Sequence, residues 1–221
     1  MAERWATFDC YGTLIDWNAG IRGELGRLFG VEQAPQLLER YHELEPQVEA
    51  EDPSGTYREV LTLTLERLAQ AEGLAVPGKE KDALARSLPR WPRFPDVRGA
   101  LLELRERGWQ LAILSNTDRE FIEASMRQIG VAFELAIVAS EIGSYKPSHG
   151  HWIAFRREVG RMPDVHVAAS TFHDVIPANE LGLRSVWVNR LEERVDEARP
   201  PTREIPDLSP LADVLEELVP A

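Results

Sequence analysis

The chain has 221 residues, 43% of them hydrophobic, and carries 37 acidic against 25 basic side chains for a formal net charge of -12. That balance argues against nucleic acid or an anionic membrane as partner, and no apolar run reaches the length of a membrane span. The only cysteine, Cys10, excludes a disulfide within the chain and suits a reducing cytoplasm, and the stretch from Met1 to Trp5 has no signal-peptide character.

A chain of this length holds a core of about 130 to 150 residues with one inserted small domain. Trp5, Ala6, Thr7 and Phe8 read as a short buried strand with Asp9 at its C-terminal end, the edge at which open α/β sheets bind ligands. Gly12 permits a sharp turn that leaves backbone N–H groups facing an anion, and Thr13 sets a hydroxyl beside the carboxylate. Taken alone, the stretch fits a carboxylate nucleophile and a plain turn-capping Asp about equally. Cys10 reads as a small buried side chain behind the turn.

From 16 to 93 the apolar residues recur at helical spacing: Leu25, Leu28 and Phe29, then Leu37, Leu38, Tyr41 and Leu44, then Val60, Leu61, Leu65 and Leu68. Breaks at Gly30, Ala34-Pro35, Asp52-Pro53-Ser54-Gly55, Gly73 and Pro77-Gly78 divide this into four helices, closed by a Pro-rich exit over 89–95. Beyond Asp96 the pattern alternates. Helices are predicted over 97–107, 118–129, 148–159 and 175–181, and strands over 109–114, 133–139, 165–169 and 185–188. The helix at 118 is entered through a capping-box spacing, Thr117-Asp118-Arg119-Glu120. Such an order implies parallel strands joined by right-handed crossovers, hence a doubly wound parallel sheet. The charged, Pro-containing stretch 191–206 reads as a surface connection, and Leu211, Val214, Leu215 and Leu218 as a last amphipathic helix.

Three more polar stretches fall at predicted strand ends. Leu114-Ser115-Asn116-Thr117-Asp118 offers donors to an anion or simply caps a helix. Ser144-Tyr145-Lys146-Pro147 sets a lone lysine between two elements, where a solvated surface charge is the ordinary reading. The segment 168–182 carries Ser170, His173 and Asp174 ahead of a short helix.

Phe8-Asp9-Cys10-Tyr11-Gly12-Thr13, followed in order by Ser115-Asn116, Lys146-Pro147 and Asp174-Val175-Ile176-Pro177-Ala178, resembles the four motifs of the haloacid dehalogenase superfamily. Tyr11, where phosphatases of that superfamily place a second Asp, looks like the L-2-haloacid dehalogenase branch. Ser170, where they place a metal-binding acid, points the same way: halide leaves without protonation, and a haloacid needs no bridging cation.

The resemblance implies an α/β fold, a Rossmann-like core over 1–15 and 96–221 with a helical cap inserted over 16–95. It implies a cytoplasmic hydrolase, metal-independent and without cofactor, that converts short 2-haloalkanoic acids into 2-hydroxy acids and is able to form a homodimer. Asp9 is the implied nucleophile, Lys146 the residue that stabilises the site, Thr13 a catalytic residue that with Ser115 and backbone N–H groups binds the substrate carboxylate, and Asp174 the group that orients the hydrolytic water. Tyr11, Ser115, Asn116 and Ser170 would bind the small anionic substrate. Glu39-Arg40-Tyr41-His42-Glu43-Leu44-Glu45 resembles a cap stretch in which an Arg receives the halide, making Arg40 a further substrate residue. Ala169, Thr171 and Trp152 depart from the Ser, Asn and Tyr that the resemblance leads one to expect. The alternatives are a Mg²⁺-dependent phosphomonoesterase and a noncatalytic binding protein on the same fold.

Overall fold

The structure, a computed structural model, describes residues 3–51 and 55–220. Six strands form one parallel sheet: β1 (Arg4–Phe8), β2 (Trp109–Ser115), β3 (Leu135–Val138), β4 (Val165–Ala168), β5 (Arg184–Val188) and β6 (Arg203–Ile205), in the order β3-β2-β1-β4-β5-β6. β1 lies inside the sheet because Ala6, Thr7 and Phe8 are fully buried, the near-continuous burial that a parallel strand covered on both faces requires. Phe8 pairs with Ile113 on one side and Val167 on the other, so Asp9 emerges between β2 and β4, where the strand order reverses and a crevice opens.

The chain then turns back on itself. Gly12 holds φ at +86°, which a side chain would strain, and Leu14 and Ile15 both donate backbone N–H bonds to the Cys10 carbonyl. The expectation of a free Gly12 N–H is corrected: it donates to the Ile15 carbonyl at 2.8 Å, so the turn closes on itself.

Three long helices follow, α1 (Trp17–Phe29), α2 (Ala34–Glu51) and α3 (Tyr57–Ala71), then a five-residue α4 (Ala83–Ser87) in place of a fourth full helix. Of the predicted break at 52–55, residues 52–54 lie outside the described residues. Outgoing and returning chains run side by side: Asp16 donates its N–H to the Pro92 carbonyl and Phe94 to the Leu14 carbonyl. The remaining helices are α5 (Val97–Glu106), α6 (Arg119–Ile129), α7 (Ala139–Ile142), α8 (Gly150–Val159), α9 (Ile176–Glu180) and α10 (Leu211–Leu218). Among the described residues no helix is long and apolar enough to cross a membrane.

Two local expectations change. β6 lies within the predicted surface connection; it is three residues long with only Ile205 buried, too short to carry an alternation signal. The capping box forms at α3, between Thr56 and Glu59, instead of at 117–120. Asp118 turns its carboxylate to that same helix start and accepts the Tyr57 and Arg58 N–H groups at 3.1 and 3.0 Å, tying α3 to the end of β2. Asp118→Ala leaves these two donors unpaired, the Tyr57 N–H among them buried, and is expected to lower unfolding stability by about 2 kcal/mol in chemical denaturation. Asn, which keeps one acceptor, restores part of it.

Candidate active site

Asp9 stands at the C-terminal end of β1 with each carboxylate oxygen held. Oδ1 accepts a hydrogen bond from Lys146 Nζ at 2.8 Å, and Oδ2 accepts one from the Thr13 hydroxyl at 2.9 Å. Thr13 Oγ1 in turn accepts the Ala169 N–H at 2.8 Å, which fixes the direction in which the hydroxyl donates. The tight turn at Gly12 is what returns Thr13 to the carboxylate four residues before it.

Lys146 arrives from the loop after α7 and donates all three of its protons: to Asp9, to Asp174 Oδ1 at 2.6 Å and to the Leu114 carbonyl at 2.9 Å. Asn116 holds the loop in place. Its Oδ1 accepts the Lys146 N–H at 2.7 Å and its Nδ2 donates to the Lys146 carbonyl at 3.0 Å. Each end of that amide is thereby tied to the loop, which gives Asn116 a bracing role, while one N–H remains on a side chain that borders the pocket.

Asp174 lies in the wide turn Thr171–Val175 after β4, whose entry Ser170 caps by accepting the His173 N–H. Its Oδ1 also meets His166 Nε2 at 2.9 Å, and His166 Nδ1 meets the Thr7 hydroxyl at 2.9 Å, with Trp152 edge-on to the imidazole. Trp152, one of the departures from the expected pattern, thus packs behind the site. His151, whose pKa falls to about 3 through burial and then the nearby Lys146 charge, is neutral and donates from Nε2 to the Ser115 carbonyl.

The charges are coupled. Burial pushes the Asp9 carboxyl up, an effect Lys146 opposes and Asp174 reinforces. Burial also disfavours the Lys146 ammonium, yet Asp174 and Asp9 together hold its pKa above the ordinary value. For Asp174 burial is outweighed, and Lys146 and His166 hold it well below the usual carboxylate range. One ammonium between two buried carboxylates holds Asp174 in its charged form and opposes the rise that burial and Asp174 impose on Asp9. Burial, then Asp9, pushes the Cys10 thiol well up, so it does not rival Asp9 as a nucleophile.

Above Asp9 lies a cavity of about 260 Å³. Its floor is Asp9, Lys146, Asp174 and Ser115; Tyr11, Ser170 and His173 form one side, and Trp17, Glu45, Glu49 and Tyr57 the wall from the helical block. Tyr11 bonds Ser125 through its hydroxyl and stacks on Tyr57, with ring centres 5.9 Å apart. A neighbouring hollow of about 630 Å³ shares Tyr11, Trp17 and Ser170 with it.

Arg40 is a correction. It projects from the surface of α2, paired with Glu43 and, at 3.8 Å, with Glu72, and does not line the pocket. Tyr41, Glu45 and Glu49, spaced four apart on one face of α2, point inward instead, while Arg40 sits at the edge of that buried face. Sequence reasoning missed Glu45, Glu49 and His166. The two glutamates belong to a run of charge that reads as a solvated helix face. His166 did leave a signal, as one polar residue in the apolar run Val165-His166-Val167-Ala168.

A family model described as haloacid dehalogenase-like hydrolase matches residues 4–169. The (S)-2-haloacid dehalogenase 1 of Pseudomonas sp. (strain CBS-3) is 28% identical over 219 residues, covering 96% of each chain. The phosphoserine phosphatase of Thermus thermophilus is 30% identical over 156 residues, covering 68% of this chain and 62% of its own. The L-2-haloacid dehalogenase structure from Xanthobacter autotrophicus superposes with a TM-score of 0.86 over 97% of this chain and 99% of that one; at 18% identity this speaks to the fold.

Proposed function

Because this chain belongs to the haloacid dehalogenase-like hydrolases, we propose that it hydrolyses the carbon–halogen bond of short 2-haloalkanoic acids with Asp9 as nucleophile. The observation that carries this reading is the Asp9 carboxylate held by Lys146 and Thr13 at the floor of a small pocket, with Tyr11 and Ser170 where phosphoryl transfer needs acids. An Asp9 oxygen bonds to C2 as the C2–halogen bond breaks and its electron pair leaves with the halide. Water then attacks the carbonyl carbon of the Asp9 ester, the acyl C–O bond breaks, and a 2-hydroxy acid leaves with C2 inverted. Lys146 and Thr13 offset the charge that develops on the Asp9 carboxyl in the second step. Asp174 keeps Lys146 charged, and its pocket-facing edge is the place for the attacking water. The helices of 16–95 act as a cap over this chemistry, and the single cysteine suits a cytoplasmic setting.

A Mg²⁺-dependent phosphatase is the competing reading, and the phosphoserine phosphatase relative supports it. The donor set argues against it. The single Lys146 ammonium already offsets charge on both Asp9 and Asp174, and where a second metal-binding acid would stand Ser170 contributes a neutral hydroxyl that accepts the His173 N–H. The test is halide release from L-2-chloropropionate and bromoacetate in excess EDTA, beside p-nitrophenyl phosphate turnover with Mg²⁺. Halide release in EDTA supports the proposal. Phosphate-ester turnover alone, abolished by EDTA, overturns it.

A further inference from the structure

Among the described residues the pocket wall opposite Asp9 offers a simple anion carboxyl groups and no cation. Lys146 has no donor left for a ligand, and no other lysine or arginine lines the cavity among the described residues. The helical block supplies two carboxyl groups instead, Glu45 and Glu49, one turn apart on α2. Glu45 is held in position: its Oε1 accepts the Tyr57 hydroxyl proton at 3.1 Å, and that hydroxyl accepts the Trp17 Nε1–H at 2.9 Å. Burial followed by their mutual repulsion pushes Glu45 up to about 8, and burial pushes Glu49 up to about 7, Lys146 opposing. Among the described residues neither has a cationic side chain bonded to it, and a cation placed beside them would favour their charged form.

Two further observations point to a ligand. Among the described residues the Ser115 hydroxyl, almost wholly buried on the cavity floor, has no hydrogen-bond partner. Trp17 and Tyr57 put aromatic rings beside the two glutamates, a combination suited to a desolvated ammonium group.

We propose that the substrate carries a protonated amine within a few bonds of the carbon attacked by Asp9, and that Glu45 and Glu49, walled by Trp17 and Tyr57, bind it. The inference rests on the dehalogenase reading for its reaction but not for its binding site. The substrate class is then a short amino-substituted 2-haloalkanoate, whose ammonium pairs with the glutamates and leaves C2 facing Asp9.

Binding separates the two claims. By titration calorimetry 3-aminopropanoate is expected to bind about 30-fold tighter than butanoate, in which a methyl replaces the ammonium. Glu45→Gln and Glu49→Gln should each shrink that preference, and the double variant should remove it. Equal or tighter binding of butanoate to the natural protein, or an amine preference that survives the double variant, overturns the proposal. Halide release from 3-amino-2-chloropropanoate is then compared with that from 2-chlorobutanoate. A faster amine substrate supports site and reaction together, whereas a faster 2-chlorobutanoate counts against the amine as part of the substrate. Amine-selective binding with no halide released from either compound leaves the ammonium site standing and defeats the dehalogenase reading.

Discussion

Asp9→Asn is expected to lose turnover by at least about 10⁴-fold, with a melting temperature close to that of the natural protein. The reason lies in the partners of the two oxygens. An amide oxygen can still accept from Lys146, and the amide nitrogen can donate to Thr13, whose hydroxyl then gives up donating but keeps the Ala169 N–H as its own donor. The fold therefore keeps most of its local bonds, while the chain loses its only carboxylate oxygen aimed from β1 into the pocket. Thermal melting beside halide release separates the two effects. A variant that retains more than a hundredth of the activity would remove Asp9 from the nucleophile's role, and one that fails to fold would show that Asp9 is chiefly structural.

Lys146→Met acts on stability and rate together. It leaves Asp9 and Asp174 buried without their shared cation, and breaking such a pair costs roughly 3–5 kcal/mol. The pH dependence follows from the direction of each shift. Asp174 is depressed in the natural protein, so its stabilising contribution is present above its unfolded pKa and fades as pH falls through its folded value. Lys146 is raised, so its contribution persists through the neutral range and is lost only in strong base. In the variant both carboxyls are raised above their unfolded values, so the penalty is full near pH 8 and shrinks toward pH 5, where one of them takes up a proton. Denaturant unfolding at the two pH values checks this, and a pH-independent loss would contradict it. Turnover should fall on the order of 10³-fold, since the donor that stabilises the developing charge on the Asp9 carboxyl is gone.

The floor of the pocket was legible in the sequence because its members lie at or beyond the C-terminal ends of strands. Asp9 and Ser115 each follow an apolar run, and Lys146 and Asp174 lie in loops beyond strands, so a parallel sheet necessarily gathers them at one edge. Thr13 was legible through the turn at Gly12. The wall above them was not. Whether α2 shows Arg40 or Glu45 to the pocket depends on a rotation of the helix of about one residue, and the apolar residues Leu37, Leu38, Tyr41, Leu44 and Val48 bound that rotation only to a broad stripe. Asp118 misled for a related reason. The spacing of Thr117 to Glu120 suits a local capping box, but the Asp118 carboxylate between them meets the first N–H groups of α3, some 60 residues away in sequence. Asn116 shows the same limit in a loop, as a polar residue at the right strand end whose amide is used by the neighbouring backbone.

The central claim, an ester on Asp9, is tested most directly by a single turnover in H₂¹⁸O with enzyme in excess over a halogenated acid, followed by mass spectrometry of product and of the peptide containing Asp9. If water attacks the Asp9 ester carbonyl, the peptide gains one ¹⁸O and the first hydroxy acid released carries unlabelled oxygen taken from the enzyme. Label in the first product with none in the Asp9 peptide would mean that water attacks the substrate carbon directly, and Asp9 would no longer be the nucleophile.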